Sequence, residues 1–475
     1  MIFSSAIFLV VFFPVVFTLY YLCPKKFKNI FLLFASIIFY MWGAPKFIFA
    51  ILGTTTLDFF LVKIMHNSTT DKKRKLFLIL SLCLNVGMLF YFKYCNFFID
   101  NLNTALHLFT SKDIHWTKII LPIGISFYTF ESLTYLIDVY RRDHKPLNNF
   151  WHYQLYILLF PKLIAGPIIR YHEISDQITN RFDKFKVDDV LTGFYRFVIG
   201  LSKKVLIANT MAIVADEVFK TNIRDLNTGY AWIGMFAYTF QIYFDFSGYS
   251  DMAIGMGKML GFKFPENFNN PYTSKSITEF WRRWHMTLGS WMRNYLYIPL
   301  GGNRVKSKKR LFFNLWFVFL LSGFWHGAAW TFIFWGAYHG LLLILEKVFL
   351  LKVYDKLGKI IPAIITFLLV AIGWVFFRAD TFSYGFLYII KLFSFSNTIN
   401  YIYLNNEFIF ILLLAITFSF FTFFKYGEKI QNAIYFSDYT IKGYTISTIL
   451  AITFFTICLA SISSSTFNPF IYFRF

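Results

Sequence analysis

Apolar windows close to the roughly 20 residues that a helix needs to cross a bilayer recur from one end of this chain to the other. They fall near 5–23, 29–44, 46–64, 76–92, 119–139, 190–218, 229–260, 311–334, 336–350, 360–378, 407–424 and 443–463. In hydrocarbon every backbone N–H and C=O must find a partner within the protein, and continuous runs of this length do so as helices. The expected fold class is all-α: a polytopic integral membrane protein of about 11–13 transmembrane helices with re-entrant or interfacial helices. Residues 151–169 contain Pro161, Gly166 and Pro167 and read as a re-entrant or interfacial segment. No internal repeat, Pro-rich linker or low-complexity tail divides the chain, so residues 1–475 read as a single integral domain.

The formal charge of +21 could suggest a nucleic-acid partner, but only 15% of residues are charged and 57% are hydrophobic. The bases sit in short loops between apolar runs, the positive-inside pattern, and no recognition motif is visible, so a nucleic-acid role is excluded. Lys25, Lys26 and Lys28, then Lys72, Lys73, Arg74 and Lys75, then Arg141, Arg142 and Lys145 follow alternate windows and share one face. The rule makes that face cytoplasmic and places both termini on the extracytoplasmic side. The start is apolar from Ile2, with neither a basic region nor a small-residue cleavage pattern, which argues against a removed signal peptide. Cys23, Cys83, Cys95 and Cys458 form no CxxC and read as small core residues.

An ionisable side chain inside an apolar segment is a functional-site hypothesis in itself. His326 in SGFWHGAAWTF is such a residue: residues 321–335 hold no other charge, and Gly323, Gly327, Ala328 and Ala329 leave room for a close-packed backbone or a ligand chain. The alternative is a histidine satisfied by a neighbouring helix. His339 lies thirteen residues on, about 220° around a continuous helix, and would not share a face with His326. His285 lies in FWRRWH, where Trp281, Trp284 and Trp291 alternate with Arg282, Arg283 and Arg293. That composition suits either a helix at the headgroup level or a functional site.

Gln241, Asp245, Ser247, Tyr249 and Asp251 form a second polar group within QIYFDFSGYSDMAIG. Carboxylates there must be paired, protonated or wet. Partners among the arginines of FWRRWH, a hydrogen bond to a histidine, or a purely structural network all satisfy that requirement. Lys162, Gly166, Pro167 and Arg170 in FPKLIAGPIIR are a weaker signal of backbone lining a cavity. The histidines show no HExxH-like spacing, and no metal site is expected.

LPIGISFYTFESLTYLIDVYR, FPKLIAGPIIR, QIYFDFSGYSDMAIGMGKMLGF, PENFNNPY, SITEFWRRWHMTL, YIPLGGNR and SGFWHGAAWTF, in this order, resemble the membrane-bound O-acyltransferase (MBOAT) family. Within it the likeness is to the bacterial branch typified by the alginate O-acetyltransferase membrane subunit. It covers nearly the whole chain, with a motif core at about 119–340. The resemblance implies helices around a central tunnel in the cell (inner or plasma) membrane and an O-acetyltransferase activity. It also implies acetyl-CoA as cytoplasmic acyl donor with no bound cofactor, and a cell-envelope or exported polysaccharide as eventual acceptor. His326 then matches the family's catalytic histidine and His285 a second position, Asn or His in the wider family. Trp325, Arg282, Arg283, Gln241, Asp245, Ser247 and Asp251 are expected as supporting or tunnel residues. The ending FIYFRF at 470–475 resembles the FIY-type terminus of this branch and of a partner peptide in the related D-alanylation system. There a tyrosine is proposed to carry the acyl group, which maps here to Tyr472; an interfacial aromatic anchor is the alternative.

Desolvation keeps a buried histidine neutral, and a neutral imidazole can take the proton of an attacking hydroxyl. Direct acylation of His326 is the other route. With no large outer domain to hold a glycan, the chain is expected to work with an extracytoplasmic SGNH or serine-hydrolase-like acetyltransferase. D-alanyl transfer from a carrier protein to teichoic acid is the competing enzymatic reading. A glycan or lipid transporter is the non-enzymatic one, against which the lack of internal pseudo-symmetry weighs.

Overall fold

A computed structural model describes the chain except residues 111–112, 185, 396–403 and 465–475, and of residues 183 and 184 only the backbone. Tyr472 and the 470–475 motif therefore lie outside the described residues. Among the described residues the regular structure is helical, with no strand. The α-helices are α1 (Phe13–Leu22), α2 (Lys28–Gly43), α3 (Ile48–Asn67), α4 (Asp71–Leu89), α5 (Cys95–Leu106), α6 (Ile125–Arg141), α7 (Phe150–Leu158), α8 (Phe160–Leu163), α9 (Tyr171–Asn180), α10 (Val187–Ser202) and α11 (Asn209–Lys220). They continue with α12 (Thr228–Met259), α13 (Ile277–Arg283), α14 (Met286–Met292), α15 (Lys308–His326), α16 (Trp330–Leu345), α17 (Leu351–Lys356), α18 (Ile360–Arg378), α19 (Phe382–Leu392), α20 (Asn406–Phe420), α21 (Lys425–Tyr435) and α22 (Ile441–Ser464).

Seven continuous helical stretches are long and apolar enough to cross a membrane: Ile48–Asn67, Asp71–Leu106, Val187–Lys220, Trp330–Lys356, Ile360–Arg378, Asn406–Phe423 and Ile441–Ser464. The protein is a polytopic, all-α membrane protein. Fewer helices qualify than there are apolar windows in the sequence, for physical reasons. Helices α1, α2 and α6 are short, at 10, 16 and 17 residues. Helix α12 carries Asp245, Asp251 and Lys258. The window 311–334 is not one helix at all: α15 stops at His326 and α16 starts at Trp330, with extended backbone at Gly327 and Ala329 between them.

The chain divides into two compact units, residues 1–190 with 257–264, and residues 191–256 with 265–475. The sequence carries no linker composition at these points because the divisions at 190 and 256 fall inside α10 and α12.

In the first unit the broken segment is buried throughout residues 153–169. Its irregular backbone is satisfied by side chains: the Tyr156 hydroxyl lies 3.1 Å from the Ile169 carbonyl, and the Phe160 N–H donates to Ser36 Oγ at 3.1 Å. Lys162 pairs with Glu131, both fully buried, and its ammonium lies 4.8 Å from the Tyr156 ring. Gly124, at φ +77°, takes the left-handed turn that starts α6, where a Cβ would lie 2.7 Å from the Leu163 carbonyl oxygen.

In the second unit the core is aromatic, with Tyr272, Phe280, Trp284, Trp335 and Trp374 packed together. Helices α15 and α16 form a tight hairpin in which a Cβ at Gly323 would lie 2.3 Å from the Phe332 carbonyl oxygen. Helices in lipid associate by such close van der Waals contact at small residues. This hairpin sets His326 against α16 and α18.

Candidate active site

His326 ends α15 and is 7% exposed. Its ring lies 4.9 Å from Trp325, 5.2 Å from Trp335 on α16 and 5.2 Å from Phe377 on α18. This aromatic cage screens the imidazole from water on several sides.

The second histidine is placed by a different device. After α13 the chain reaches His285 in the left-handed region, φ 45° and ψ 54°, a conformation few side chains adopt without support from their surroundings. The support comes from PENFNNPY. Asn269 N–H donates to the Arg283 carbonyl at 2.9 Å, and Met286 N–H donates to the Asn267 carbonyl at 2.9 Å. Asn267 Oδ1 also accepts from the Thr287 N–H at 3.3 Å and the Thr287 hydroxyl at 2.9 Å, and it lies 3.0 Å from His285 Nδ1. A backbone N–H can only donate, so this oxygen is an acceptor and His285 Nδ1 carries the proton. Nε2 is left with its lone pair, buried, and without a hydrogen-bond partner among the described residues. Burial pushes the pKa of His285 down to about 3. It is therefore a neutral base in a fixed tautomer.

The tryptophans around His285 are buried or half-buried. Trp284, His285 and Trp291 are 3%, 2% and 7% exposed. Arg282 is exposed, and Arg283 pairs with Glu279 on its own helix at 2.6 Å.

Helix α12 brings Phe246 against His285, 4.6 Å between ring centres. The acids beside Phe246 find their cations on the segment formed by α10 and the turn after it, not among the arginines of FWRRWH. Asp245 Oδ1 lies 2.9 Å from Lys204 Nζ, which also reaches Asn209 Oδ1 at 2.9 Å. Asp251 accepts from Arg196 Nε at 2.7 Å and from Lys203 Nζ at 2.6 Å, and Arg196 also grips Glu266 with two hydrogen bonds. Close approach makes these pairs possible: a Cβ at Gly200 would lie 2.4 Å from the Gly248 carbonyl oxygen. Gln241 Oε1 and Ser247 Oγ on the same helix are buried without hydrogen-bond partners among the described residues.

Three histidines thus meet the aromatic cluster. Trp325 lies within 6.3 Å of His285 and 4.9 Å of His326. Trp335 lies 5.2 Å from His326 and 5.1 Å from His339. His339 is brought near because the break at residues 327–329 replaces the continuous helix on which its face was reckoned. Its Nδ1 accepts from the Trp281 indole N–H at 3.4 Å. Asn267 and Trp335 are neighbours of these histidines that the sequence does not single out; PENFNNPY is a visible motif, but its role is tertiary. Among the described residues no group of three or more His, Cys, Asp or Glu could hold a metal ion.

Residues 63–386 match the model of the membrane-bound O-acyltransferase family. A probable alginate O-acetylase of Pseudomonas aeruginosa is 45% identical over 396 residues, covering 83% of this chain and 75% of that protein. A peptidoglycan O-acetyltransferase of Helicobacter pylori is 37% identical over 412 residues, covering 80% and 77%. A teichoic acid D-alanyltransferase of Bacillus subtilis is 31% identical over 282 residues, covering 55% of this chain and 69% of that protein. The chain belongs to the membrane-bound O-acyltransferase family, and it is an O-acyltransferase.

Proposed function

We propose that this O-acyltransferase takes acetyl from cytoplasmic acetyl-CoA and passes it outward for O-acetylation of a cell-envelope or exported polysaccharide. An extracytoplasmic SGNH or serine-hydrolase-like transferase completes the delivery. Both termini lie outside, in the inner or plasma membrane. The observation that carries this reading is the pair His285 and His326 around Trp325, one imidazole held as a neutral base by Asn267 and the other closed in by Trp335 and Phe377. The acceptors named for the relatives, alginate, peptidoglycan and teichoic acid, support an envelope or exported polymer. Acetyl is favoured over D-alanyl because the acetylases share 45% and 37% identity over four-fifths of the chain, against 31% over 55%.

In the proposed reaction His326 takes the proton of an acceptor hydroxyl as its oxygen attacks the thioester carbonyl. The new C–O bond forms, the C–S bond breaks, and the CoA thiolate recovers the proton from the imidazolium. General-base help of this kind is worth roughly 10²–10⁴-fold. His285 Nε2, a lone pair without a proton, is available to accept from an amide N–H of the donor's pantetheine arm and so orient the thioester. Tyr472 is the proposed acceptor: a phenol, with an unperturbed pKa of about 10, ionises more readily than an aliphatic alcohol. Its aryl ester remains a good donor to a serine of the partner.

The test is the full-length protein in detergent with acetyl-labelled acetyl-CoA, comparing wild type, His326→Ala and Tyr472→Phe. Label on the wild type, absent from both variants, is the expected result. Label kept in Tyr472→Phe and lost in His326→Ala moves the acyl site elsewhere, His326 included. Folded wild type that neither hydrolyses acetyl-CoA nor becomes labelled, even with its partner, overturns the acetyl donor in favour of a carrier-protein donor or transport.

A further inference from the structure

The loop Lys25–Phe27 between α1 and α2 faces the turn at Arg181 and the turn at Leu260 and Gly261, all within the first unit. They line a small pocket of about 70 Å³, open at its mouth. Lys25, Lys28 and Arg181 line it, with Tyr20 and Phe182, and no acidic residue lines it.

Arg181 sets this pocket apart from a solvated basic loop. It is 3% exposed. Its guanidinium carbon lies 4.2 Å from the Phe182 ring centre and 4.0 Å from that of Phe262, so the group is clamped between two faces. Its hydrogen bonds go to backbone carbonyls, Nε to Leu260 at 3.1 Å and Nη1 to Ile178 at 3.2 Å, while Nη2 has no hydrogen-bond partner among the described residues. No carboxylate among the described residues pairs with it. The floor is equally rigid: Tyr20 donates to the Leu260 carbonyl at 2.8 Å, and Gly261 turns the chain at φ +84°. Lys28 is laid over the Tyr20 ring, 4.5 Å from its centre. A buried guanidinium with no carboxylate beside it is stabilised by an anion. Basic pockets at the cytoplasmic ends of membrane helices are suited to phosphate-bearing headgroups, and arginine is the side chain best matched to phosphate.

We propose that this pocket binds the phosphate of an anionic ligand, either a phospholipid headgroup or a soluble phosphate compound such as a nucleotide, held by Arg181, Lys25 and Lys28. The lysines supply mobile positive charge at the mouth, and the clamped guanidinium supplies fixed donors at the wall.

The experiment measures binding to the full-length protein in a neutral detergent for short-chain phosphatidylglycerol, CoA and inorganic phosphate, with short-chain phosphatidylcholine as baseline. Wild type is compared with Lys25→Gln/Lys28→Gln, with Arg181→Gln and with Lys26→Gln, which changes the same loop outside the pocket. Melting temperature and circular dichroism establish that each is folded. At least one phosphate probe is expected to bind wild type tenfold or more above the baseline. The double variant should lose that margin, and Lys26→Gln should keep it within twofold. Loss confined to phosphatidylglycerol assigns a lipid, and loss confined to CoA or inorganic phosphate assigns a soluble ligand. No binding above baseline, equal binding by the double variant, or an equal loss in Lys26→Gln overturns the proposal. Should Arg181→Gln fail to fold, the lysine pair alone decides.

Discussion

Asn267 Oδ1 lies 3.0 Å from His285 Nδ1, while Asn267 Nδ2 donates to Ser250 Oγ at 3.0 Å on α12. One amide therefore sets the tautomer of a buried histidine and ties the PENFNNPY loop to the helix of the acidic residues. Replacing it separates its roles. Asn267→Leu removes the acceptor, frees the ring to rotate and is expected to lower acetyl-CoA turnover by about 10²-fold, within the range of a positioned base. Asn267→Asp keeps an acceptor at Nδ1 but adds a charge that favours the imidazolium. It should retain more activity at high pH than Asn267→Leu and lose it on the acid side. Equal pH profiles for the two variants would rule out the tautomer argument.

The fixed neutrality of His285 also links stability to pH. Its folded pKa is near 3, against roughly 6.5 for an unfolded histidine. Between these values the unfolded chain binds a proton that the native protein does not. The stability contribution is complete above about pH 6.5 and falls as pH drops toward 3, by up to about 1.4 kcal/mol per pH unit. His285→Gln lacks the titrating group. Denaturation midpoints of wild type minus variant should stay constant from pH 8 to 6.5 and decline below it; a constant difference down to pH 4.5 contradicts the burial argument.

His326 was legible because it stands alone as an ionisable group in an apolar run, and its hairpin could be sensed from the small residues around it. Less local features were not. Gly327 and Ala329 interrupt the helix within a run that hydropathy alone reads through, which is why the angle between His326 and His339 on a continuous helix does not describe where the two rings lie. The composition of FWRRWH does not disclose that His285 adopts φ 45° and separates α13 from α14. Asp245 and Lys204 are 41 positions apart, and only packing of their segments at Gly200 and Gly248 discloses that they meet.

That pair offers its own test. Asp245 and Lys204 are 1% and 2% exposed and 2.9 Å apart. Asp245→Leu or Lys204→Met alone leaves a buried charge without its counterion, expected to cost about 3–5 kcal/mol. The double variant Asp245→Leu/Lys204→Met removes both charges at similar volume and should recover most of that loss. Thermal unfolding in detergent measures the cycle. Additive single effects would mean that Asn209 and other neighbours, not the ion pair, hold these side chains.

Glu346 holds the start of α13. Its carboxylate accepts from the Ile277 N–H, from the Thr278 N–H at 2.9 Å and from the Thr278 hydroxyl at 2.7 Å. These are first-turn donors of α13, which otherwise have no partner within the helix. A negative group there is also favoured by the helix dipole. From this anchor on α16, α13 runs to Trp281, whose indole reaches His339, and to His285 just past its end. Glu346→Gln keeps the shape but turns an N–H₂ toward donors, so at least one backbone N–H loses its acceptor at a cost of about 1–3 kcal/mol. Acetyl-CoA turnover should fall roughly tenfold or more through kcat, since a misplaced group of about 1 Å can cost 10²-fold, while the KM for acetyl-CoA changes little. Glu346→Asp, which keeps the charge on a shorter stem, should restore part of kcat. A loss that appears in KM alone, or no rescue by aspartate in a folded variant, would place Glu346 outside the positioning of His285.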